Sequence, residues 1–286
     1  MWSDFVDDRR GKRALAVKSD PDHLPPHARH ANNRCQLFPD IASTKLARAV
    51  SFYLSVHFAH HTANMSNPKA KLTVLISGSG SNLQALIDAC ANATLPNAEI
   101  IRVVSNKKAA YGLERAQKAD IPTAYHNLLE YKKRFPDDTG SKKFEQARSE
   151  YDRDLASLVL ADKPDLVVCA GWMHILAPTF LEPLKEAGVP VINLHPALPG
   201  QFNGAHAIDE AYQAFQEGKI EKTGIMIHYV ILEVDMGEPI VTRDIPMRKG
   251  ETQDDLEQRI HENEWQLIVQ GTQKAIDTLW ESRQSS

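Results

Sequence analysis

Cysteine is scarce in this chain. Its three thiols, Cys35, Cys90 and Cys169, lie far apart and make no C-x-x-C pair, which leaves no disulfide framework and no structural zinc signature. A reducing compartment, the cytoplasm, fits that usage, and no metal is expected. No apolar run approaches the roughly 18 to 20 residues that a membrane span needs. A basic excess is lacking too: 33 Lys and Arg stand against 37 Asp and Glu, a formal net charge of −4. A chain built to grip nucleic acid shows the opposite balance, so small-molecule partners fit better. The start carries Asp4, Asp7 and Asp8 where a secretory leader or an organelle transit peptide would carry a basic end without acids.

What is present falls into two parts. Residues 1–68 hold six of the twelve histidines and the turn-rich "SDPDHLPPHARHANN", with no periodicity until "LARAVSFYLSVHFA", a possible short helix. They are expected to form a disordered N-terminal extension. Met65 opens "MSNPKAKLTVLISG", which reads as the start of a compact domain over 69–286 and as a point where translation can begin.

Within that domain strands and helices alternate. "KLTVLIS", "EIIRVVS", "IPTAYH", "DLVVCAG" and "VPVINLH" are short apolar runs of the kind buried on both faces of a parallel sheet. Between them lie the helical "NLQALIDACA", "GLERAQKA", "SKKFEQARSEYDRDLASLVLA" and "APTFLEPLKEAG". After a helix at "AIDEAYQAFQEG", "KTGIMIHYVI" and "EPIVTRDIPM" read as a hairpin-like pair at one side, and Thr252 with Asp255 marks the capped start of a last helix. The expected fold class is α/β: an open, mostly parallel twisted sheet with helices on both faces, Rossmann-like. Ligands of such sheets bind beyond the carboxyl ends of the strands.

Three stretches there carry chemistry. Asn193 and His195, two apart at the end of a buried strand, project from the same face. In "LTVLISGSGSNLQAL" a glycine loop enters a helix, so backbone N–H groups and a positive dipole end converge on Gly80, Ser81 and Asn82. The third glycine of a dinucleotide fingerprint is absent, and Ser105, Asn106, Lys107 and Lys108 follow the second strand where an acid would hold a ribose. A phosphate monoester therefore fits better than NAD; a ligand-free turn capped by Asn82 is the bland alternative. Lys107 and Lys108 could assist the phosphate or face solvent. Asp235 stands in a turn between two strands, where an aspartate commonly caps its own backbone. Folded over His195 it would instead favour the imidazolium. Glu264 falls on the apolar stripe of the last helix, between Ile260 and Leu267, and must find donors there unless the helix end frays into water.

Taken together, "VLISGSGSNLQALIDAC", "VVSNKKAAYGLERA", "DLVVCAGWMHILAPTF", "VINLHPALPG", "GAHAI", "TGIMIHYV" and "EVDMGEPIV", in that order, resemble the phosphoribosylglycinamide formyltransferases, from about Lys71 to about Trp280. The resemblance implies transfer of the formyl group of 10-formyltetrahydrofolate, a co-substrate, to the amine of glycinamide ribonucleotide in purine synthesis, by a monomer or weak homodimer without nucleic acid or membrane. It implies that Gly80, Ser81 and Asn82 take the phosphate and Glu264 the ribose hydroxyls. Met173, His174, Ile175 and Leu176, with Ile231, Leu232, Glu233, Val234, Asp235 and Asn193, would line the folate pocket, and Arg153 would lie near its outer part. Asn193, His195 and Asp235 match the catalytic trio: Asn193 and a protonated His195 donate to the oxygen of the tetrahedral intermediate, and Asp235 keeps His195 charged and relays a proton through water. His174 stands where bacterial members have Arg, and "ALPGQFNG" replaces their "SLLPKYPG". Formyltetrahydrofolate deformylase, methionyl-tRNA formyltransferase and a non-catalytic phosphate-binding module are the alternatives. The first carries an N-terminal regulatory domain and the second a C-terminal tRNA domain, neither legible here, and the third leaves Asn193, His195 and Asp235 without a purpose.

Overall fold

A computed structural model describes residues 68–135 and 141–285. The expected extension up to residue 67, its short helix and the Met65 start lie outside the described residues. The chain enters as β1 (Ala70–Ile76), passes the glycine loop into α1 (Ser81–Ala91), and continues as β2 (Ala98–Ser105), α2 (Tyr111–Lys118), β3 (Thr123–Tyr125), α3 (Leu128–Arg134) and α4 (Ser141–Ala161). Then come β4 (Leu166–Cys169), α5 (Pro178–Glu186), β5 (Val191–His195), α6 (Ala207–Gln216), β6 (Lys222–Tyr229), β7 (Pro239–Pro246) and the long α7 (Gln253–Gln284).

Side chains alternate across a strand, and here both faces are apolar. Leu72, Val74 and Ile76 of β1 enter one buried cluster and Leu75 the other. In β4, Leu166 and Val168 divide from Val167 and Cys169 in the same way, and in β5 Ile192 and Leu194 divide from Val191. Such strands need helices above and below. Residues of α1 and α7 cover the first cluster, and residues of α4 and α5 cover the second. The seven strands run in the order β3-β2-β1-β4-β5-β6-β7. Neighbours from β3 to β5 are parallel, while β6 and β7 join antiparallel, as the hairpin-like reading expects. The chain leaves β1 toward one edge and returns at β4 on the other side of it, so β1 and β4 flank the switch point where a crevice opens.

Local signals account for the ends of elements. The Thr252 side chain accepts from the Asp255 N–H at 3.1 Å while Asp255 reaches back to the Thr252 N–H at 3.2 Å, the reciprocal box that starts α7. No helix is expected from the sequence between β3 and α4. The structure has α3 there, with the Asn127 side chain accepting from the Leu129 N–H at 2.9 Å. Only Tyr131 of that helix is buried, so it shows no apolar stripe to read.

Candidate active site

The carboxyl ends of β1, β4 and β5 open into a cavity of about 730 Å³, lined by the loop 77–82, residues 169–176 and 193–196, and parts of the 230–235 turn and α7. Its floor is tied across the switch point: the Ser77 N–H donates to the Gly171 carbonyl at 2.9 Å and the Met173 N–H to Ser77 Oγ at 2.9 Å.

The glycine loop is shaped by close backbone approach. Gly80 has φ 71 and precedes α1, and a Cβ on it would lie 2.5 Å from Cα of Gly112, so only glycine fits. No side chain caps α1. This corrects the alternative in which Asn82 is the cap, because Asn82 is turned elsewhere: its Nδ2 donates to Glu264 Oε2 at 3.0 Å. Glu264 is buried at 4% exposure, not frayed into water. Burial pushes its carboxyl above the ordinary carboxylate value, with the Asn82 hydrogen bond opposing. Asn82 and Glu264, from the first and last helices, therefore meet beside the N-terminal N–H groups of α1, and Lys107 also lines the cavity.

In the same cavity, His195 is 3% exposed with Nδ1 3.5 Å from Asp235 Oδ2. Its Nε2 donates to the Phe202 carbonyl at 2.9 Å. Asn193 is its neighbour on the same face, and antiparallel pairing sets His228 of β6 opposite Asn193. His228 Nδ1 lies 2.9 Å from the Tyr229 carbonyl, so it carries the ring proton, and its Nε2 accepts from Asn193 Nδ2 at 3.3 Å. His228 Nε2 is also 3.6 Å from Asp235 Oδ1. Asp235 takes a left-handed φ of 57 and receives the Gly204 N–H at 2.8 Å. Burial alone would raise its carboxyl; the His228 contact, the Gly204 N–H and His195 outweigh that and hold it below the ordinary 3.8. For His195 the balance is reversed. Burial outweighs the pull of Asp235 and of the Phe202 carbonyl, so the ring is held below the ordinary 6.5. The carboxylate expected to favour the imidazolium is in place at 3.5 Å, and burial of the ring works against it.

The apolar wall is formed by Met173, Ile175 and Leu176 facing Val230, Ile231 and Val234. Met173 and Ile175 are 58% and 66% exposed. Leu232 and Glu233 do not line the cavity. Nor does Arg153, whose Nη1 pairs with Glu150 at 2.8 Å on the exposed side of α4. The arginine of α4 that reaches this wall is Arg148, five residues earlier. Its Nη1 donates to His174 Nδ1 at 3.2 Å, and its Nη2 meets the Ile175 carbonyl and, at 2.9 Å, the fully buried Asp152. Burial, then Arg148, Lys132 and Lys107 push His174 down to about 4, so it is a neutral acceptor for Arg148. Asp152 is pushed up to about 6 by burial, with Arg148 and the Ala177 backbone opposing.

Known proteins resemble this chain in sequence and fold. A family model described as formyl transferase matches residues 70–272. The chain is 51% identical over 208 residues to the phosphoribosylglycinamide formyltransferase of Schizosaccharomyces pombe, covering 72% of this chain and 97% of that protein. It is 48% identical over 214 residues to the Saccharomyces cerevisiae protein of the same name, covering 73% and 99%. The chain belongs to the phosphoribosylglycinamide formyltransferase family. Among solved structures, glycinamide ribonucleotide transformylase 1 from Symbiobacterium toebii superposes with a TM-score of 0.62 at 29% identity, over 73% of this chain and 89% of that one.

As a member of this family of transferases, the chain brings its glycine loop, Glu264, Asn193, His195, Asp235 and residues 173–176 to one cavity. His228 and Arg148 were not singled out from the sequence. His228 sits inside a strand where a histidine reads as core, and only its pairing opposite Asn193 marks it; Arg148 is one of several charges on an amphipathic helix. Among the described residues no helix is long and apolar enough to cross a membrane.

Proposed function

We propose that the chain transfers the formyl group of 10-formyltetrahydrofolate to the amine of glycinamide ribonucleotide, yielding formylglycinamide ribonucleotide and tetrahydrofolate in purine synthesis. One observation carries the reading: Asn193 and His195 of β5 and Asp235 of a later turn converge in a cavity that is also lined by a helix N-terminus and Glu264. A volume of about 730 Å³ suits two ligands lying side by side. The N–H groups of Ser81 and Asn82 suit a phosphate. Glu264, with one oxygen held by Asn82, offers the other to ribose hydroxyls. The apolar wall of Met173, Ile175, Leu176 and Ile231 suits the flat ring of a folate, with backbone groups of the 230–235 turn along its edge.

The residues then divide the work. Asn193 gives one amide hydrogen to His228, which fixes the amide plane, and keeps the other for the formyl oxygen as negative charge collects on it. A preorganised donor of that kind lowers the barrier by about 3 kcal/mol. His195, in its neutral form, has a free lone pair on Nδ1 and takes the proton that the attacking amine sheds. Asp235, 3.5 Å away, stabilises the imidazolium that results, and the same proton leaves with the departing folate nitrogen. Holding both reactants in one cavity supplies much of the remaining rate.

The test is an absorbance assay of formyl-folate consumption with and without glycinamide ribonucleotide. Consumption that depends on the ribonucleotide is expected; equal consumption in its absence would replace this reading by hydrolysis, the deformylase reaction.

A further inference from the structure

The segment between β5 and α6 holds both titratable partners by its backbone. The Phe202 carbonyl accepts from His195 Nε2 at 2.9 Å, and two residues on the Gly204 N–H donates to Asp235 Oδ2 at 2.8 Å. Between them, Asn203 Nδ2 reaches Met236 Sδ at 3.6 Å, in the turn that carries Asp235. Each residue of 202–204 is therefore tied to His195 or to the Asp235 turn. Two of the three adopt left-handed backbone, with φ 45 at Phe202 and φ 95 at Gly204. That region is an outlier for an aromatic side chain and persists only where surrounding contacts impose it.

A carbonyl oxygen can only accept, so the proton of the neutral His195 ring sits on Nε2 and the lone pair on Nδ1. Nδ1 is the nitrogen that faces Asp235 Oδ2 at 3.5 Å. We propose that residues 202–204 are a positioning bracket: the Phe202 carbonyl selects Nδ1 as the working nitrogen of His195, and the Gly204 N–H fixes the carboxylate opposite it. With the carbonyl rotated away, the ring is free to place its proton on Nδ1, against Asp235, and no lone pair is left for the incoming amine. The catalytic consequence rests on the formyl transfer proposed above; the tautomer does not.

Histidine-selective ¹⁵N labelling of the full chain reads the tautomer directly, with the His195 signal assigned by its absence in His195→Ala. The Nε2–H form is expected in the parent chain. Phe202→Gly, which reaches positive φ freely, keeps it. Phe202→Pro, with φ locked near about −65°, loses it, and turnover drops about tenfold or more, as when a catalytic imidazole is left in the wrong tautomer. KM for both substrates stays nearly unchanged. Gly204→Ala has open space for its methyl group but cannot hold φ 95 without strain, so its N–H is drawn off Asp235. Asp235 is then faced only by His195 and His228, and the acid limb of the turnover profile moves to higher pH. This arm stands even where Phe202→Pro does not fold. Retention of the Nε2–H form in folded Phe202→Pro, or an unmoved acid limb in Gly204→Ala, would overturn the bracket. A parent chain with the expected tautomer but no ribonucleotide-dependent transfer would overturn the function and leave the bracket standing.

Discussion

His195 is a residue on which burial and the Asp235 charge act in opposite senses, burial the stronger, and the outcome can be measured. Asp235→Asn removes the charge that pulls the ring upward, so the His195 value falls further and the acid limb of turnover shifts to lower pH. The plateau drops by about 10²–10⁴-fold, since the imidazolium formed during proton transfer loses its counter-charge. A pH–rate profile checks both signs, and an unchanged plateau would remove Asp235 from the mechanism. Glu264 obeys the same arithmetic. Its carboxyl sits above its unfolded value, so the folded chain binds that proton more tightly and stability falls as pH rises through the window above 4.5. Glu264→Gln keeps an oxygen for Asn82 and removes the buried charge. Its Tm at neutral pH is expected to rise by about 2–4 °C, for about 1 kcal/mol, while KM for the ribonucleotide rises about tenfold through loss of a charge-assisted bond. Calorimetry and initial rates test the pair, and a fall in Tm would show that the charge is stabilising. At this scale the sequence exposed side chains whose chemistry is out of place, such as Asn193, His195 and Glu264. It concealed what backbone does: the Gly204 N–H and the Phe202 carbonyl leave no trace in residue type, and the resting charge of His195 depends on burial that spacing does not report.

Among elements, the strands were the most legible, because apolar runs too short for a helix, rich in β-branched residues and closed by turn residues, read as strands buried on both faces. Helix α3 was not, since one buried tyrosine makes no stripe. Helix α7 was legible at its start through Thr252 and Asp255, and that box lies outside the cavity lining. Thr252→Ala therefore costs about 1 kcal/mol of stability, read as a lower urea midpoint, with both KM values unchanged. The junction of α1 and α2 behaves otherwise. A methyl group at Gly80 would meet the Gly112 backbone at 2.5 Å in a conformation that disfavours any side chain. Gly80→Ala must displace the N-terminus of α1, and KM for the phosphorylated substrate is expected to rise far more than KM for the folate. Equal rises would move the phosphate away from this loop.

For the whole molecule, the family match over residues 70–272 leaves out the first 69 residues, and 208 aligned residues of this chain suffice to cover 97% of the fission yeast relative. A chain beginning at Met65 is accordingly expected to retain ribonucleotide-dependent transfer; inactivity of a folded chain of that kind would give the preceding residues a part in the reaction. The opposite terminus has no such latitude. The contact between Asn82 and Glu264 spans 182 positions, from the second described element to the last. During synthesis the glycine loop leaves the ribosome long before Glu264, so on the proposed function a nascent chain is expected to hold no ribonucleotide until the final helix has emerged and docked. Termination between His195 and that helix is therefore expected to keep the proposed catalytic histidine and leave half of the proposed substrate grip unbuilt.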